Sequence, residues 1–362
     1  MIDEGVLARI VRSGLSPETI HQFMTSARNL QNVKKLSSQS VSALGLDIHT
    51  VERNDSIRAK ALDALRADTV ALVVLNGGMA TRFGGVAKGT VAITDTLSFL
   101  GAKLQDAHRL AKRISSPCPH IFLMCSSATL DPTTIHLKKH DFFGYEPSRL
   151  HLFTQCESVR FLPDGNVYRD ESGQPSFHGT GHGDLPYCIR NVPAFQEFSQ
   201  AGKALLLSNV DNVLATLDLD ILGGFLNSEM PIQVEVVDKN PGDVGGAPLN
   251  VDGQAQIVEA FRLAPGFDHD QIPVFNTNTL WLTPQSLSAT SIELPWHRVE
   301  KHVNGTRVIQ FERLVGELTC FFETRFLRVQ REGKDSRFIP VKTPADLEAH
   351  RLTIVSTWQT RD

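Results

Sequence analysis

Glycines and cations follow the most apolar run of this sequence. Residues 70–75 read Val-Ala-Leu-Val-Val-Leu, and Asn76-Gly77-Gly78 comes next, with Arg82, Lys88 and further glycines behind it. Glycine backbone approaches a ligand closely and leaves its N–H groups available, while the cations neutralise phosphate charge. This combination predicts a loop that binds a polyphosphate, and a tight strand-to-helix turn without a ligand is the alternative.

The loop differs from two common phosphate-binding motifs. A Walker loop ends in Gly-Lys followed by Ser or Thr, whereas Lys88 lies between Ala87 and Gly89. The dinucleotide fingerprint needs Gly-x-Gly-x-x-Gly, and the adjacent pair Gly77-Gly78 has the wrong spacing. Both motifs are therefore excluded for this stretch.

Two other polar residues could contact a nucleotide. Gln155 follows the apolar segment 150–154, and a buried amide there both donates to and accepts from a base edge. His182 lies in the glycine-rich hexad 179–184, where its imidazole could donate to a phosphate or ribose oxygen. A surface glutamine and a plain loop histidine are the alternatives.

A carboxylate follows the apolar run 204–208. Asp211 stands three residues after this run, and ligands bind outside the carboxyl ends of parallel strands. Mg²⁺ uses one or two carboxylates together with phosphate oxygens and water, so Asp211 is a candidate Mg²⁺ ligand. The alternative is that Asp211 caps the following helix.

Further polar residues lie in the second half of the chain. Asn276 and Asn278 interrupt an apolar strand pattern, and Glu259 follows another apolar pair, so these three residues could bind sugar hydroxyls. A structural network of paired amides is equally compatible with the pattern. Lys342 precedes the helix start at 343–346 and could meet a transferred phosphate, although an exposed lysine without a function is the alternative.

The elements that position these residues read as an α/β fold. Buried strands are predicted at 70–75, 120–125 and 204–208, separated by helical patterns. This order predicts a doubly wound, mainly parallel sheet with helices on both faces and the site along its carboxyl edge. Residues 1–68 are predicted to be helical and packed on the core, with a helix starting at Ser16-Pro17.

Composition limits the possible partners and location. The formal net charge of −4 argues against a nucleic-acid coat, and no apolar run is long enough to cross a membrane. The five cysteines are scattered without Cys-x-x-Cys spacing, which favours reduced thiols and a cytoplasmic location. No signal peptide is expected from the acidic N-terminus.

Five stretches, in this order, resemble the UTP–glucose-1-phosphate uridylyltransferase family, which includes the UDP-sugar pyrophosphorylases. The stretches are Leu75-Asn76-Gly77-Gly78, Gly181-His182-Gly183-Asp184, Ser208-Asn209-Val210-Asp211-Asn212, Phe275-Asn276-Thr277-Asn278 and Arg337-Phe338-Ile339-Pro340-Val341-Lys342. The glycine loop is also similar to the signature of sugar-1-phosphate nucleotidyltransferases, roughly Leu-x-Gly-Gly-x-Gly-Thr-x-x-Gly…Pro-Lys. It departs from that signature twice: Ala80 stands where glycine is usual, and the proline before Lys88 is missing from a loop that is one residue shorter.

The resemblance implies a Rossmann-like domain of the nucleotidyltransferase type and a reversible, Mg²⁺-dependent reaction. UTP and a sugar 1-phosphate, with glucose 1-phosphate as the best candidate, would give a UDP-sugar and pyrophosphate. Family members of eukaryotic type continue into a β-helix used in oligomerisation, and about twenty residues follow Lys342 here, so a monomer or small homo-oligomer is expected. The predicted divisions are a helical region 1–68, a catalytic domain 69–350 and a tail 351–362.

The resemblance also implies roles for individual residues. Arg82, Lys88 and Lys342 would act on the phosphates, with Asp211 on the metal. The predicted nucleotide-binding set is Leu75, Asn76, Gly77, Gly78, Gln155, Gly181, His182 and Asp211. The predicted sugar-binding set is Asn209, Gly246, Glu259, Asn276 and Asn278.

Two alternatives to this function remain. One is a pyrophosphorylase for another UDP-sugar, such as a UDP-N-acetylhexosamine, which would differ only in the sugar pocket. The other is a non-catalytic nucleotide-sugar binding protein, which Ala80 and the short loop favour. Retention of Asp211, Lys88 and Lys342 argues against this second alternative.

Overall fold

The computed structural model describes residues 2–29, 35–36, 41–43 and 47–360. Parts of the predicted helical region 1–68 and of the predicted tail 351–362 lie outside the described residues. The helices are α1 Glu4–Arg12, α2 Pro17–Arg28, α3 Asp55–Arg66, α4 Phe99–Ile114, α5 Ser127–Lys139, α6 Leu185–Ile189, α7 Pro193–Ala201, α8 Leu219–Ser228, α9 Pro284–Ser288 and α10 Pro344–Thr360.

Seventeen strands accompany these helices in the described ranges. They are β1 Val41–Ser42, β2 Ile48–Thr50, β3 Val70–Asn76, β4 Met79–Ala80, β5 Val86–Ala87, β6 His120–Cys125, β7 Leu150–Thr154, β8 Glu157–Val159, β9 Phe177–Gly179, β10 Ala204–Asn209, β11 Ile232–Asp238, β12 Gly246–Val251, β13 Gln254–Glu259, β14 Val274–Leu282, β15 His297–Val303, β16 Thr306–Glu312 and β17 Thr324–Arg328.

An eight-stranded sheet with the order β2-β17-β11-β14-β10-β3-β6-β7 forms the centre of the molecule. Only β14 runs antiparallel to its neighbours β10 and β11, and the other pairings in this sheet are parallel. The three strands predicted at 70–75, 120–125 and 204–208 are β3, β6 and β10, which are adjacent in this sheet. The predicted mainly parallel α/β fold is confirmed.

Both faces of the sheet are covered, as β3 shows most simply. Val70, Leu72 and Val74 pack into the core cluster that includes buried residues of α3, α4, α8 and α10. The alternate residues Ala71, Val73 and Leu75 pack into the cluster with α6, α7 and α9. Since successive strand residues point to opposite faces, a strand buried on both faces is apolar throughout, which explains the unbroken run at 70–75.

The first helices begin as their sequences predict. The Ser16 hydroxyl accepts a hydrogen bond from the N–H of Thr19 at 3.2 Å, with Pro17 in the first turn of α2. Between these helices and the glycine loop, β1 pairs with β12 and β2 pairs with β17. Residues 2–68 therefore contribute short strands as well as helices.

The last helix, α10, continues through residue 360 from its start at Pro344. Trp358 is buried, and the guanidinium carbon of Arg109 lies 3.9 Å from its ring centroid. Residues 351–360 thus belong to the same helix as 344–350 and pack on α4. Across the described ranges, no helix is both long and apolar enough to cross a membrane.

Candidate active site at the carboxyl ends of the sheet

The glycine loop after β3 folds into the small hairpin β4–β5. Gly84 and Gly85 have φ angles of 84° and 78°, a left-handed conformation that favours glycine. Arg82 lies in the turn between the two short strands, where it is exposed and has no hydrogen-bond partner among the described residues. This cation is therefore free to meet a ligand.

Asn76 joins the two ends of this loop. Its side chain is fully buried, accepts a hydrogen bond from the N–H of Gly89 at 3.1 Å and donates to Thr133 Oγ1 at 2.8 Å. The amide thereby fixes the backbone next to Lys88 against α5. Because its donor and acceptor are both used inside the protein, Asn76 supports the shape of the loop.

Gln155 lies between the two glycine-rich motifs of the sequence. A Cβ atom added to Gly77 would lie 2.8 Å from Gln155 Oε1, and one added to Gly179 would lie 1.5 Å from Gln155 Nε2. The Gln155 backbone N–H donates to the Cys125 carbonyl at 2.8 Å, which fixes its position beyond β6. Its side-chain amide, 9% exposed, has no partner in the described part of the chain. A held but unpartnered amide of this kind can read a base edge.

Lys88 and Asp211 form an ion pair at the end of β10. Lys88 Nζ contacts Asp211 Oδ2, and the two side chains are 23% and 15% exposed. Asp211 does not cap the next helix, since the N-cap of α8 is Asp218. The capping alternative is therefore wrong, and one carboxylate oxygen of Asp211 has no protein partner among the described residues.

His182 is held as a neutral imidazole. Its Nδ1 accepts a hydrogen bond from the N–H of Val315 at 2.9 Å, and burial lowers its pKa to about 4. The remaining proton therefore lies on Nε2 at neutral pH. His182 can donate one hydrogen bond to a ligand oxygen, as a neutral group.

The residues around His182 form a buried clamp that the sequence did not reveal. Arg313 donates two hydrogen bonds to Asp184 Oδ1, at 2.9 and 2.5 Å, and its guanidinium lies between the rings of Tyr187 and Trp296. Asp184 is fully buried and also accepts from Thr180 at 2.5 Å. The clamp joins the Gly-His-Gly-Asp segment to the residues that follow β16, where the N–H of Val315 donates to His182.

Three asparagines meet at the end of β10. Asn278 Nδ2 donates to Asn209 Oδ1 at 3.0 Å, and the N–H of Asn278 donates to Asn276 Oδ1 at 3.0 Å. The β11–β14 register shifts at this point, and Asn278 has a φ angle of 55°. Asparagine tolerates this left-handed conformation better than most residues. The irregularity places polar side chains of β14 beside the carboxyl end of β10, inside an otherwise apolar strand.

Glu259 lies against Gly246 on the neighbouring strand. A Cβ atom added to Gly246 would be 2.7 Å from Glu259 Oε1. Burial, and then the nearby Glu317 carboxylate, raise the pKa of Glu259. Glu317 is itself buried and accepts hydrogen bonds from Arg262 and His297, each at 2.8 Å. The Glu259 side chain has no hydrogen-bond partner in the described ranges, so its carboxyl group is available to a ligand hydroxyl.

Lys342 lies away from these contacts. Its side chain is exposed, and its backbone N–H donates to Asp346 Oδ2 at 2.9 Å in the first turn of α10. The pKa of the neighbouring Asp243 is lowered chiefly by its hydrogen bonds from Arg331, and the Lys342 ammonium adds a smaller contribution. The predicted helix start is confirmed, whereas the catalytic role of Lys342 stays a prediction.

The structure thus brings several of the predicted residues together in three local groups. Gln155 meets the two glycine motifs, Lys88 meets Asp211, and Asn209 meets Asn278. Among the described residues, no three His, Cys, Asp or Glu side chains form a group that could hold a metal ion by themselves. A metal at Asp211 would need ligand oxygens from a substrate, as Mg²⁺ beside phosphates does.

The mainly parallel sheet with polar residues at its carboxyl ends defines an α/β protein with a candidate nucleotide-binding site along one sheet edge. Comparison with known proteins agrees: the family model described as UTP–glucose-1-phosphate uridylyltransferase matches residues 18–359. The chain belongs to this family, and the predicted resemblance is confirmed.

Relatives and solved structures give the same picture. The UTP–glucose-1-phosphate uridylyltransferase of Hordeum vulgare is 28% identical over 306 residues, which cover 79% of this chain and 63% of the relative. The chain therefore spans less than two thirds of the length of that curated relative. A UDP-glucose phosphorylase structure from Trypanosoma brucei superposes with a TM-score of 0.78 at 20% identity, covering 96% of this chain and 78% of that one.

A second Trypanosoma brucei structure has a related fold. It is a uridine diphosphate N-acetylglucosamine pyrophosphorylase in complex with an inhibitor, with a TM-score of 0.74 at 17% identity. The match covers 96% of this chain and 79% of that one. At these identities the structural comparisons establish the fold alone.

Proposed function

We propose that this protein is a uridylyltransferase that converts UTP and a sugar 1-phosphate into a UDP-sugar and pyrophosphate. The observation that carries this proposal is the Gln155 amide, enclosed by Gly77 and Gly179, at the same sheet edge as the Lys88–Asp211 pair. A nucleotidyl-transfer reaction needs a residue that binds the base and charged residues that bind the phosphates, both at the same edge of the sheet. Glucose 1-phosphate is the proposed sugar substrate, in line with the family to which the chain belongs.

The reaction is an in-line attack of a sugar-phosphate oxygen on the α-phosphorus of UTP. A phosphate monoester is already an anion at neutral pH, so no general base is needed, and catalysis is alignment plus charge neutralisation. Lys88 and Arg82 would bind the departing pyrophosphate, and Lys342 the phosphates that exchange partners. Each well-placed cation is worth roughly a hundred- to a thousandfold in rate.

His182 and the backbone around it would bind an oxygen of the nucleotide or sugar phosphate. Because the imidazole is neutral with its proton on Nε2, it donates a hydrogen bond without adding charge. Leu75, Gly78 and Gly181 would present backbone groups to the nucleotide. The Asp184–Arg313 clamp would keep this arrangement fixed when the substrate enters.

Nucleotidyltransferases generally use a divalent metal ion, and we propose Mg²⁺ at Asp211. The donor chemistry fits, because the carboxylate keeps a free oxygen beside Lys88 and the phosphates would supply the others. When bound, the metal would neutralise charge on the UTP phosphates. Asp211 would hold it on the side of β10, where Asn209 also lies.

The sugar would bind near Glu259 and the asparagines Asn209, Asn276 and Asn278. Glu259 and Asn276 can accept and donate to hydroxyl groups, and Gly246 leaves room beside Glu259. We further propose a cytoplasmic monomer or small homo-oligomer without nucleic-acid or membrane partners. All five cysteines are free, which fits a reducing compartment.

A pyrophosphate-release assay with UTP and a panel of sugar 1-phosphates tests the function. The panel contains glucose, galactose and N-acetylglucosamine 1-phosphates, each with and without Mg²⁺. We expect release with glucose 1-phosphate at the highest kcat/KM. Preference for N-acetylglucosamine 1-phosphate would support the other UDP-sugar alternative, and binding of UTP without release would support the non-catalytic one.

A further inference from the structure

Two free thiols lie against each other next to Gln155, the proposed base-binding residue. The Sγ atoms of Cys156 and Cys188 are 3.7 Å apart. Cys156 directly follows Gln155 in the chain, and Cys188 lies in α6, which begins directly after Asp184. The thiol pair therefore connects the segment that carries the base-reading amide with the segment that carries His182.

We propose that Cys156 and Cys188 are an oxidative modification site, where a peroxide converts the two thiols into a disulfide that weakens nucleotide binding. A disulfide has an S–S distance of about 2.05 Å, so the two sulfur atoms need to approach by less than about 2 Å. No other residue separates them. The formation of the disulfide is independent of the proposed function, whereas its effect on nucleotide binding rests on that function.

The surroundings of the two thiols set the order of the steps. Cys188 is partly exposed, whereas Cys156 is 2% exposed, and its hydrogen bond to Cys188 and its burial raise the pKa of the Cys156 thiol. The Cys188 thiolate attacks the peroxide, breaks the O–O bond and becomes a sulfenic acid while hydroxide leaves. The Cys156 sulfur then attacks the Cys188 sulfur and displaces water. In total, two thiols lose two protons and two electrons, and hydrogen peroxide becomes two waters.

Formation of the disulfide would displace residues of the candidate site, because a few short contacts connect these residues to the two cysteines. The Cys156 carbonyl accepts from both the N–H and the Oγ1 of Thr180, each at 3.1 Å, and Thr180 in turn holds Asp184. To the extent that rotation of the two side chains does not close the gap, drawing the sulfurs together moves the Cys156 backbone or α6. The first movement displaces Gln155, which has no free space between its two glycines, and the second displaces His182.

Peptide mapping and nucleotide binding on the full chain test both parts. The protein is treated with hydrogen peroxide, remaining thiols are alkylated, and the peptides are mapped without reduction. We expect one peptide pair joined through Cys156 and Cys188, lighter than the two separate peptides by two hydrogen atoms. We also expect the Kd for UTP, measured by titration calorimetry, to rise at least about tenfold and to recover with dithiothreitol. The loss of one or two hydrogen bonds from Gln155 or His182 to the nucleotide costs about this much.

Two variants serve as controls. Cys188→Ser should bind UTP normally before treatment and lose the peroxide response, and Cys188→Ala repeats the test with a different side chain. Cys118→Ser removes a thiol that contacts His108 Nδ1 at 3.5 Å, far along the chain from this pair, and should respond like the unchanged protein.

Three outcomes would overturn the proposal or part of it. Sulfinic acid on Cys188 with no disulfide to Cys156 rules out the modification site. A complete disulfide with an unchanged Kd for UTP rules out its effect on nucleotide binding. If the untreated chain does not bind UTP, the proposed function fails together with that effect, while the peptide map still decides on the disulfide.

Discussion

A methyl group at position 179 should disable the base-reading amide. The added Cβ atom would lie 1.5 Å from Nε2 and 2.6 Å from Cδ of Gln155, and contacts below 3.0 Å are essentially never seen. The φ angle of Gly179 is not in the left-handed region, so alanine is compatible with the backbone there. Gly179→Ala therefore acts by displacing the Gln155 side chain.

The size of the effect follows from the hydrogen bonds that are lost. A glutamine amide can exchange two hydrogen bonds with the edge of uracil, and each neutral hydrogen bond contributes about 0.5–1.5 kcal/mol. Loss of both costs about 2 kcal/mol, or roughly thirtyfold in kcat/KM for UTP. Since the base lies away from the reacting phosphates, KM should rise more than kcat falls. Discrimination against ATP should decrease by a similar factor.

Steady-state kinetics with UTP and ATP measure this effect, and a double variant identifies its cause. The three atoms nearest to the added methyl group all belong to the Gln155 side chain beyond its Cβ. The double variant Gly179→Ala/Gln155→Ala should therefore be no worse than Gln155→Ala alone. Gly224→Ala is the matched control, because its Cβ meets only Arg325 Nη1 at 4.0 Å. An unchanged KM in Gly179→Ala, or additive losses in the double variant, would refute the reasoning.

Three further predictions concern charge. Asp211→Asn should keep the melting temperature and lower kcat by roughly two orders of magnitude, and near-normal turnover at saturating Mg²⁺ would remove Asp211 from the metal site. Lys342→Ala should lower kcat at least about a hundredfold, the size of a single electrostatic contact to the transition state. The melting temperature should stay the same, because the side chain is exposed. An unchanged kcat would leave Arg82 and Lys88 as the phosphate-binding cations. Burial lowers the pKa of His151 to about 4, while an unfolded histidine titrates near 6.5. Between these pH values the unfolded chain binds more protons than the folded chain, so the urea concentration at the unfolding midpoint should fall as the pH drops from about 6.5 to 4. The midpoint should fall less steeply with pH in His151→Gln. Equal slopes of midpoint against pH in the two proteins would contradict this prediction.

Much of the fold could be predicted because the central strands carry the signal in their own residues. A strand segment buried on both faces is apolar throughout, as residues 70–75 of β3, 121–125 of β6 and 204–207 of β10 are. Helix starts such as Ser16-Pro17 also depend on neighbouring residues only. The direction of β14 and its irregularity at Asn278 depend on partners distant in sequence, so alternation alone could not reveal them.

Of the candidate site, too, the sequence predicts the local motifs but not the contacts between residues distant in the chain. The glycines near Gln155 were recognisable as motifs, but their common contact with its amide required the fold. The Arg313–Asp184 pair joins residues 129 positions apart, and no local pattern distinguishes Arg313 from a surface arginine. The sequence also could not show that the two cations of the glycine loop have different surroundings. Lys88 forms an ion pair with Asp211, whereas Arg82 is exposed.

An isotope experiment tests the central claim most directly. The protein is incubated with UTP, Mg²⁺ and glucose 1-phosphate whose three non-bridging phosphate oxygens are ¹⁸O. The masses of the products are then determined by mass spectrometry. Attack of the sugar phosphate on the α-phosphorus predicts UDP-glucose that retains all three labels, together with unlabelled pyrophosphate. Labelled pyrophosphate, or no UDP-glucose at all, would contradict the account.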